Sequence, residues 1–153
     1  MIQKALFGAG CFWGVEEHFR TINGIIKTEV GYSGGHTKNP TYESVCYEDT
    51  VHVEVLLLEF DDNIISYELL VDEFWKCHDP TTLDRQGPDV GRQYRSVIYY
   101  YNDMQKNIAI KSKEKNQKIF QNNIVTEISS ADTFYKAEEY HQKYILKGNS
   151  CVI

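Results

Sequence analysis

The 153-residue chain lacks a long apolar run, a C-x-x-C pair, any internal repeat and any surplus of basic residues, and it has only 3 prolines. Each absence removes a class. No stretch approaches the roughly 18 apolar residues of a membrane-spanning helix, so no membrane role is expected. With 10 glycines and no Gly- or Pro-rich stretch to act as a linker, residues 1–153 are expected to form one domain. Sixteen Lys and Arg against 22 Asp and Glu leave a net charge of −6, which argues against a protein that tracks nucleic-acid phosphates. The one basic cluster, Lys106, Lys111, Lys113, Lys115 and Lys118, reads as a solvated helix face. Four cysteines, at 11, 46, 77 and 151, stand 35, 31 and 74 residues apart. That spacing suits neither a zinc finger nor a redox pair, so no metal and no cofactor are expected. The ten residues before Cys11 are too few for an export signal. A cytoplasmic protein with reduced thiols is the expectation.

What is present has clear periodicity. Residues 2–7 predict a strand and Gly8-Ala9-Gly10 a tight turn. Phe12, Val15, Phe19 and Ile22 recur at spacings of 3, 4 and 3, one stripe of a helix, with Trp13, Glu16, Glu17 and Arg20 on its other faces. Residues 25–32 predict a second strand, and 44–49 read either way. Residues 52–60 predict a third strand, in which His52, Glu54, Leu56 and Leu58 share one face. A helix follows over about 66–77, then a strand over 94–101, a polar helix over about 103–121 and a strand over 124–128. Phe134, Ala137, His141 and Tyr144 suggest a last helical turn or two. This order predicts an α+β sandwich, with helices packed on a mainly antiparallel sheet.

Several residues carry chemistry. Cys11 follows a glycine turn and opens a helix, where unpaired N–H groups and the positive end of the dipole favour a thiolate. Glu16 and Glu17 partly oppose that effect. Gly8, Gly10 and Gly14 nearly form a dinucleotide fingerprint, but the third glycine comes one residue late, and Phe12 and Trp13 put bulk where phosphates need bare backbone. Trp13 lies off the core stripe beside the thiol and suggests a floor for a small apolar group. Tyr42 and Tyr94 offer phenolic donors that stay protonated at neutral pH. Glu54, a carboxyl among apolar neighbours in a strand, should have its pKa raised by desolvation and become a usable general acid.

At Gly10-Cys11-Phe12-Trp13-Gly14 the chain closely resembles the active-site signature of the A-type peptide methionine sulfoxide reductases. Val30-Gly31-Tyr32-Ser33-Gly34-Gly35, Pro40-Thr41-Tyr42, His52-Val53-Glu54, His78-Asp79-Pro80-Thr81, the run from Gly87 to Ser96, and Ala137-Glu138-Glu139-Tyr140-His141-Gln142 resemble further blocks of that family, in its order. The resemblance implies a two-layer α+β sandwich with a ferredoxin-like core and a mobile C-terminal tail over residues 145–153. It implies reduction of the S epimer of methionine sulfoxide, free or in oxidised peptides and proteins, with thioredoxin as the reductant and a monomeric enzyme. By position, Cys11 matches the nucleophile, Glu54 the acid, Tyr42 and Tyr94 the phenols that hold the sulfoxide oxygen, Phe12 and Trp13 the methyl cage, and Asp89 a supporting polar residue. Cys151 is the best candidate for a resolving thiol, while Cys46 and Cys77 read as core packing, with Cys46 able to resolve if the tail cannot reach. Val51 stands where the family commonly has glycine. Two rivals remain: a thiol sensor, which would need no proton donor, and a thiol peroxidase, which would want cationic help beside Cys11.

Overall fold

The computed structural model describes residues 1–150. In chain order the elements are β1 (Ile2–Ala9), α1 (Phe12–Arg20), β2 (Ile25–Ser33), α2 (Tyr42–Tyr47), β3 (Val53–Asp61), α3 (Tyr67–Lys76), β4 (Arg85–Gln86), β5 (Asp89–Val90), β6 (Ser96–Tyr100), α4 (Asp103–Gln117), β7 (Glu127–Ser130) and β8 (Tyr135–Lys136), with 3-10 turns at Arg92–Tyr94 and Glu139–His141. The large sheet runs β7-β6-β1-β3-β2-β8. Its central four strands, β6-β1-β3-β2, are antiparallel, and α1 and α3 make the crossovers from β1 to β2 and from β3 to β6. This is the split βαβ arrangement of a ferredoxin-like core. β7 joins parallel to β6, and β8 joins antiparallel to β2.

Alternation along the strands builds two apolar layers. Ala5, Phe7 and Ala9 of β1 and Leu56, Leu58 and Phe60 of β3 pack against Phe12, Val15 and Phe19 of α1 and Leu70, Val71 and Phe74 of α3. The intervening residues Leu6, Val53 and Val55 form a smaller cluster with Val97 and Tyr99 on the opposite face. Both faces of the central strands are therefore dry, which is why β1 and β3 read as nearly continuous apolar runs. Side-chain caps set the helix starts. Ser66 accepts from the Leu69 N–H and Asn102 from the Gln105 N–H, while Thr41 and Ser44 form a reciprocal capping box at α2. That box settles the ambiguous segment as helix through Tyr47, with Glu48 an extended C-cap. Among the described residues no helix is long and apolar enough to cross a membrane.

Five segments depart from the sequence reading. β1 continues through Gly8 to Ala9, and only Gly10, at φ +96°, makes the turn. Tyr94 ends a 3-10 turn, so the strand expected from 94 begins at Ser96. α4 stops at Gln117, whose amide turns to bind the Ile124 N–H and Asn122 carbonyl. The Val125 N–H goes to the Pro80 carbonyl, and the strand expected from 124 starts only at Glu127. Of the helical turn or two expected over 134–144, the 3-10 turn Glu139–His141 forms, but β2 captures Tyr135–Lys136 as β8, and the Gln142 side chain bonds both the N–H and the carbonyl of Val30 as an adjoining strand would.

Candidate active site

Cys11 occupies the N-cap position of α1, and its carbonyl accepts the Val15 N–H at 3.3 Å. The β4–β5 hairpin closes over the turn before it, since a Cβ on Gly10 would meet Gln86 Cγ at 2.7 Å. The thiol is half-buried. Sheet register brings Glu54 to the same place. Glu54 pairs with Tyr32 across β2–β3, and the β1–β3 register, whose last pair is Phe7 with Leu56, runs toward Ala9 opposite Glu54.

Glu54 is 1% exposed, as its strand face predicted. Its Oε1 accepts the Phe12 N–H at 3.2 Å, while Oε2 has no hydrogen-bond partner among the described residues. Burial, together with the negative field of Asp89 and against the opposing Phe12 N–H, pushes its pKa up to about 8. At neutral pH the carboxyl thus keeps a proton, beside the start of the helix that carries Cys11.

Two phenols complete the polar set. Tyr42 opens α2 through an N–H that donates to Glu138 Oε2 at 2.9 Å, and its hydroxyl is paired with the Cys46 thiol. Tyr94 lies within the electrostatic reach of Glu54, Cys46, Asp89 and Cys11. Burial first, then neighbouring negative charge, raises both phenols far above their ordinary pKa, so they remain donors. Asp89, on β5, is also raised by burial. Five residues distant in sequence, Cys11, Tyr42, Glu54, Asp89 and Tyr94, meet through four separate segments. This set can protonate an oxygen and hold it with hydrogen bonds while a sulfur nucleophile acts nearby.

An aromatic wall adjoins it. Phe12 is buried and Trp13 half-exposed, with ring centroids 6.5 Å apart. Trp13 stacks on Tyr144 at 3.9 Å and faces Tyr42 at 6.3 Å. The sequence reading missed the residues behind this wall. His141, read as part of a helical stripe, is fully buried and accepts the Trp13 indole N–H at 2.9 Å. Glu138 bridges the Tyr42 N–H and the Tyr32 hydroxyl. Glu16, placed off the core stripe, is 1% exposed and accepts from Thr28 Oγ1 and the Lys143 N–H. Periodicity carries no signal for such contacts, because each partner lies on another element.

The other cysteines differ. Cys46 is half-buried on α2, and burial raises its pKa despite the Tyr42 hydrogen bond. It therefore touches the site rather than simply filling the core. Cys77 packs against the main apolar cluster, and burial pushes it up to about 12. Cys151 lies outside the described residues. Among those described, no group of three His, Cys, Asp or Glu is placed to hold a metal ion.

Residues 3–152 match the family model described as peptide methionine sulfoxide reductase. The chain is 59% identical to peptide methionine sulfoxide reductase MsrA of Methanosarcina mazei over 148 residues, 95% of this chain and 70% of that one. It is 56% identical to the protein of that name from Methanothermobacter thermautotrophicus, covering 95% of this chain and 88% of the relative. Among solved structures, it superposes on the reduced form of Mxr1 from Saccharomyces cerevisiae with a TM-score of 0.92 at 37% identity, covering 96% and 86% of the two chains. Against Mxr1 in complex with Trx2 the TM-score is 0.67 at 28% identity, with 94% and 84% covered.

Proposed function

The chain belongs to the peptide methionine sulfoxide reductase family, and from that premise we propose that it reduces the S epimer of methionine sulfoxide, free or in oxidised proteins, as one catalytic domain over residues 1–153. The observation that carries this reading is Glu54: a buried carboxyl, protonated at neutral pH and with one oxygen that has no hydrogen-bond partner among the described residues, beside the N-cap cysteine.

A sulfoxide sulfur becomes electrophilic when its oxygen gains a proton, and that is the task of Glu54, with Tyr42 and Tyr94 holding the oxygen. Cys11 Sγ acts as the nucleophile, the sulfur–oxygen bond of the substrate breaks, and methionine leaves. The oxygen ends on Cys11 as a sulfenic acid, so the cysteine is oxidised by two electrons and the substrate reduced by two. Phe12 and Trp13 hold the methyl group, and Asp89 keeps the carboxyl field that raises Glu54. The Cys151 thiol then condenses with the sulfenic acid, giving a disulfide and water. A dithiol of the thioredoxin type restores both thiols, a role supported by the complex of the related Mxr1 with Trx2. The enzyme acts as a cytoplasmic monomer.

Single-turnover reduction of the separated S and R sulfoxides, with thiols counted afterwards, tests this. The S epimer should yield about one methionine per Cys151→Ser enzyme and none with Cys11→Ser, and recycling by thioredoxin should stall in Cys151→Ser. Turnover of R alone, or of neither, defeats the assignment. Because the rate needs protonated Glu54, the wild-type first step should fall as pH rises through about 8. Glu54→Gln should be slower by about 10²-fold or more and lack that falling limb.

A further inference from the structure

His141 ends the Glu139–His141 turn with 0% exposure. Four rings enclose its imidazole: Tyr140 at 4.1 Å, Tyr42 at 4.5 Å, Phe12 at 5.2 Å and Trp13 at 5.6 Å. Its Nδ1 accepts the indole Nε1–H of Trp13 at 2.9 Å, across 128 residues of chain. An imidazole nitrogen that accepts is unprotonated, so the neutral ring carries its hydrogen on Nε2. That Nε2 is buried with no hydrogen-bond partner among the described residues. An orphaned buried donor costs about 1–3 kcal/mol, and a cost that packing does not repay points to a role for the other nitrogen.

We propose that His141 is a positioning residue: by fixing the Trp13 indole N–H it sets the rotation of the indole plane and thereby the affinity of the methyl cage for sulfoxide. The inference rests on the reading of Trp13 as part of that cage. The indole stands on the first turn of α1, with two soft side-chain torsions. Stacking on Tyr144, with planes 11° apart, fixes the tilt but leaves the ring free to slide within its plane. The Nε1–H to Nδ1 bond supplies the missing restraint at the far edge of the ring. Phenylalanine at 141 would fill the space but provide no acceptor.

The bond also makes the cage sensitive to acid. Once protonated, Nδ1 becomes a donor and turns against the indole N–H. Glu138 is the charged group whose field reaches the imidazole and favours its protonation, while the phenols of Tyr42 and Tyr140 contact it as neutral rings. Burial outweighs Glu138 and holds the imidazole below its ordinary pKa. The cage is therefore fully formed at neutral pH and loosens only on acidification.

The test combines kinetics with the indole N–H resonances of the protein's two tryptophans. Trp75, bonded to Ser112 Oγ at 2.8 Å, serves as internal control. His141→Phe should shift the Trp13 resonance and spare that of Trp75. It should raise KM for N-acetyl-methionine sulfoxide amide about fivefold, the range of one neutral hydrogen bond, while the saturating single-turnover rate changes less than about twofold. His141→Gln, whose amide oxygen can accept, should recover most of the KM. In the wild type, KM and the Trp13 resonance should move together on acidification with one midpoint, which His141→Phe abolishes. Unchanged KM in His141→Phe, or the same KM increase in a Trp13→Phe background, overturns the proposal. If Trp13→Phe itself leaves KM unchanged, the cage reading fails, and this inference with it. If Trp13→Phe raises KM and His141→Phe does not, only the positioning role fails. Should His141→Phe not fold, a Trp13 resonance that stays fixed while wild-type KM changes with acid also overturns the role.

Discussion

At the residue scale, Val51 shows how a local rule is broken to keep a site in register. It sits at φ +65°, a conformation that costs a β-branched residue about 1–2 kcal/mol. Bonds on either side hold it there. The Val51 carbonyl accepts from Arg95 Nη1 at 2.9 Å, the His52 N–H donates to Thr50 Oγ1, and the Thr50 carbonyl accepts from the His36 N–H. These bonds deliver the chain into β3 so that Glu54, three residues on, faces the helices. Val51→Gly relieves the strain but adds freedom to the unfolded chain, worth about 0.5–1 kcal/mol in the other direction. The net expected gain is about 0.5–1 kcal/mol, read as a rise of a few degrees in Tm with unchanged turnover. A fall in Tm would show that the valine side chain contributes packing greater than the strain. The glycine expected here by family resemblance was thus a legible signal, and the backbone does adopt the conformation that glycine favours.

Element by element, the least self-sufficient piece is α2. Six residues are too few for a helix to hold itself in water, yet it carries both Tyr42 and Cys46. Its capping box fastens one end, and Glu138, from the segment after β8, fastens Tyr42. Burial acts to raise the Glu138 pKa, but the Tyr42 N–H, the Tyr32 hydroxyl and the field of His141 prevail and hold it below the usual carboxylate range. It is therefore charged at neutral pH, where its hydrogen bonds are strongest. Glu138→Ala leaves the Tyr42 N–H unpaired at a cost of about 1–3 kcal/mol. Amide exchange over residues 42–47 should accelerate, and turnover should fall about tenfold as Tyr42 loses its setting. Unchanged exchange there would mean that the capping box alone secures the helix. Periodicity foresaw α1 and α3, whose stripes face one core, but it left α2 ambiguous and, in the final segment, foresaw the turn at Glu139–His141 without the short strand β8 that precedes it. At α2 a side chain from another element, Glu138, satisfies the backbone; in the final segment Gln142 turns its own side chain to the backbone of β2 at Val30.

At the scale of the molecule, polar links tie the layers together, and one of them should make the fold sensitive to acid. His78, just past α3, bonds the Phe74 carbonyl through Nδ1 and Ser96 Oγ through Nε2, and Ser96 in turn meets Thr126. Helix, β6 and the approach to β7 are joined through one imidazole. Burial lowers its pKa to about 4 from an ordinary 6.5, so the folded state keeps it neutral after the unfolded chain has taken up a proton. The unfolded state binds more protons throughout that window. Stability is fully present above 6.5 and is lost as pH falls toward 4, by about 3 kcal/mol in all. His78→Gln should reduce the loss between pH 7 and pH 4.5, measured by urea unfolding at both. An equal loss in the variant would assign it to other groups.

The sequence by itself determined the α+β class, the central strands and the three longer helices, because apolar spacing of two or of three to four reports which face must leave water. It also marked Cys11 and Glu54, each by a local signal: a helix start after glycine, and a carboxyl on an apolar strand face. Only the tertiary structure decided that Tyr42, Asp89 and Tyr94 meet them, that Glu54 holds a proton to about pH 8, and that Glu138 and His141 stand behind the aromatic wall. Those facts depend on burial and on contacts between residues up to 128 positions apart. Desolvation and hydrogen bonding act through space, and no pattern along the chain records them.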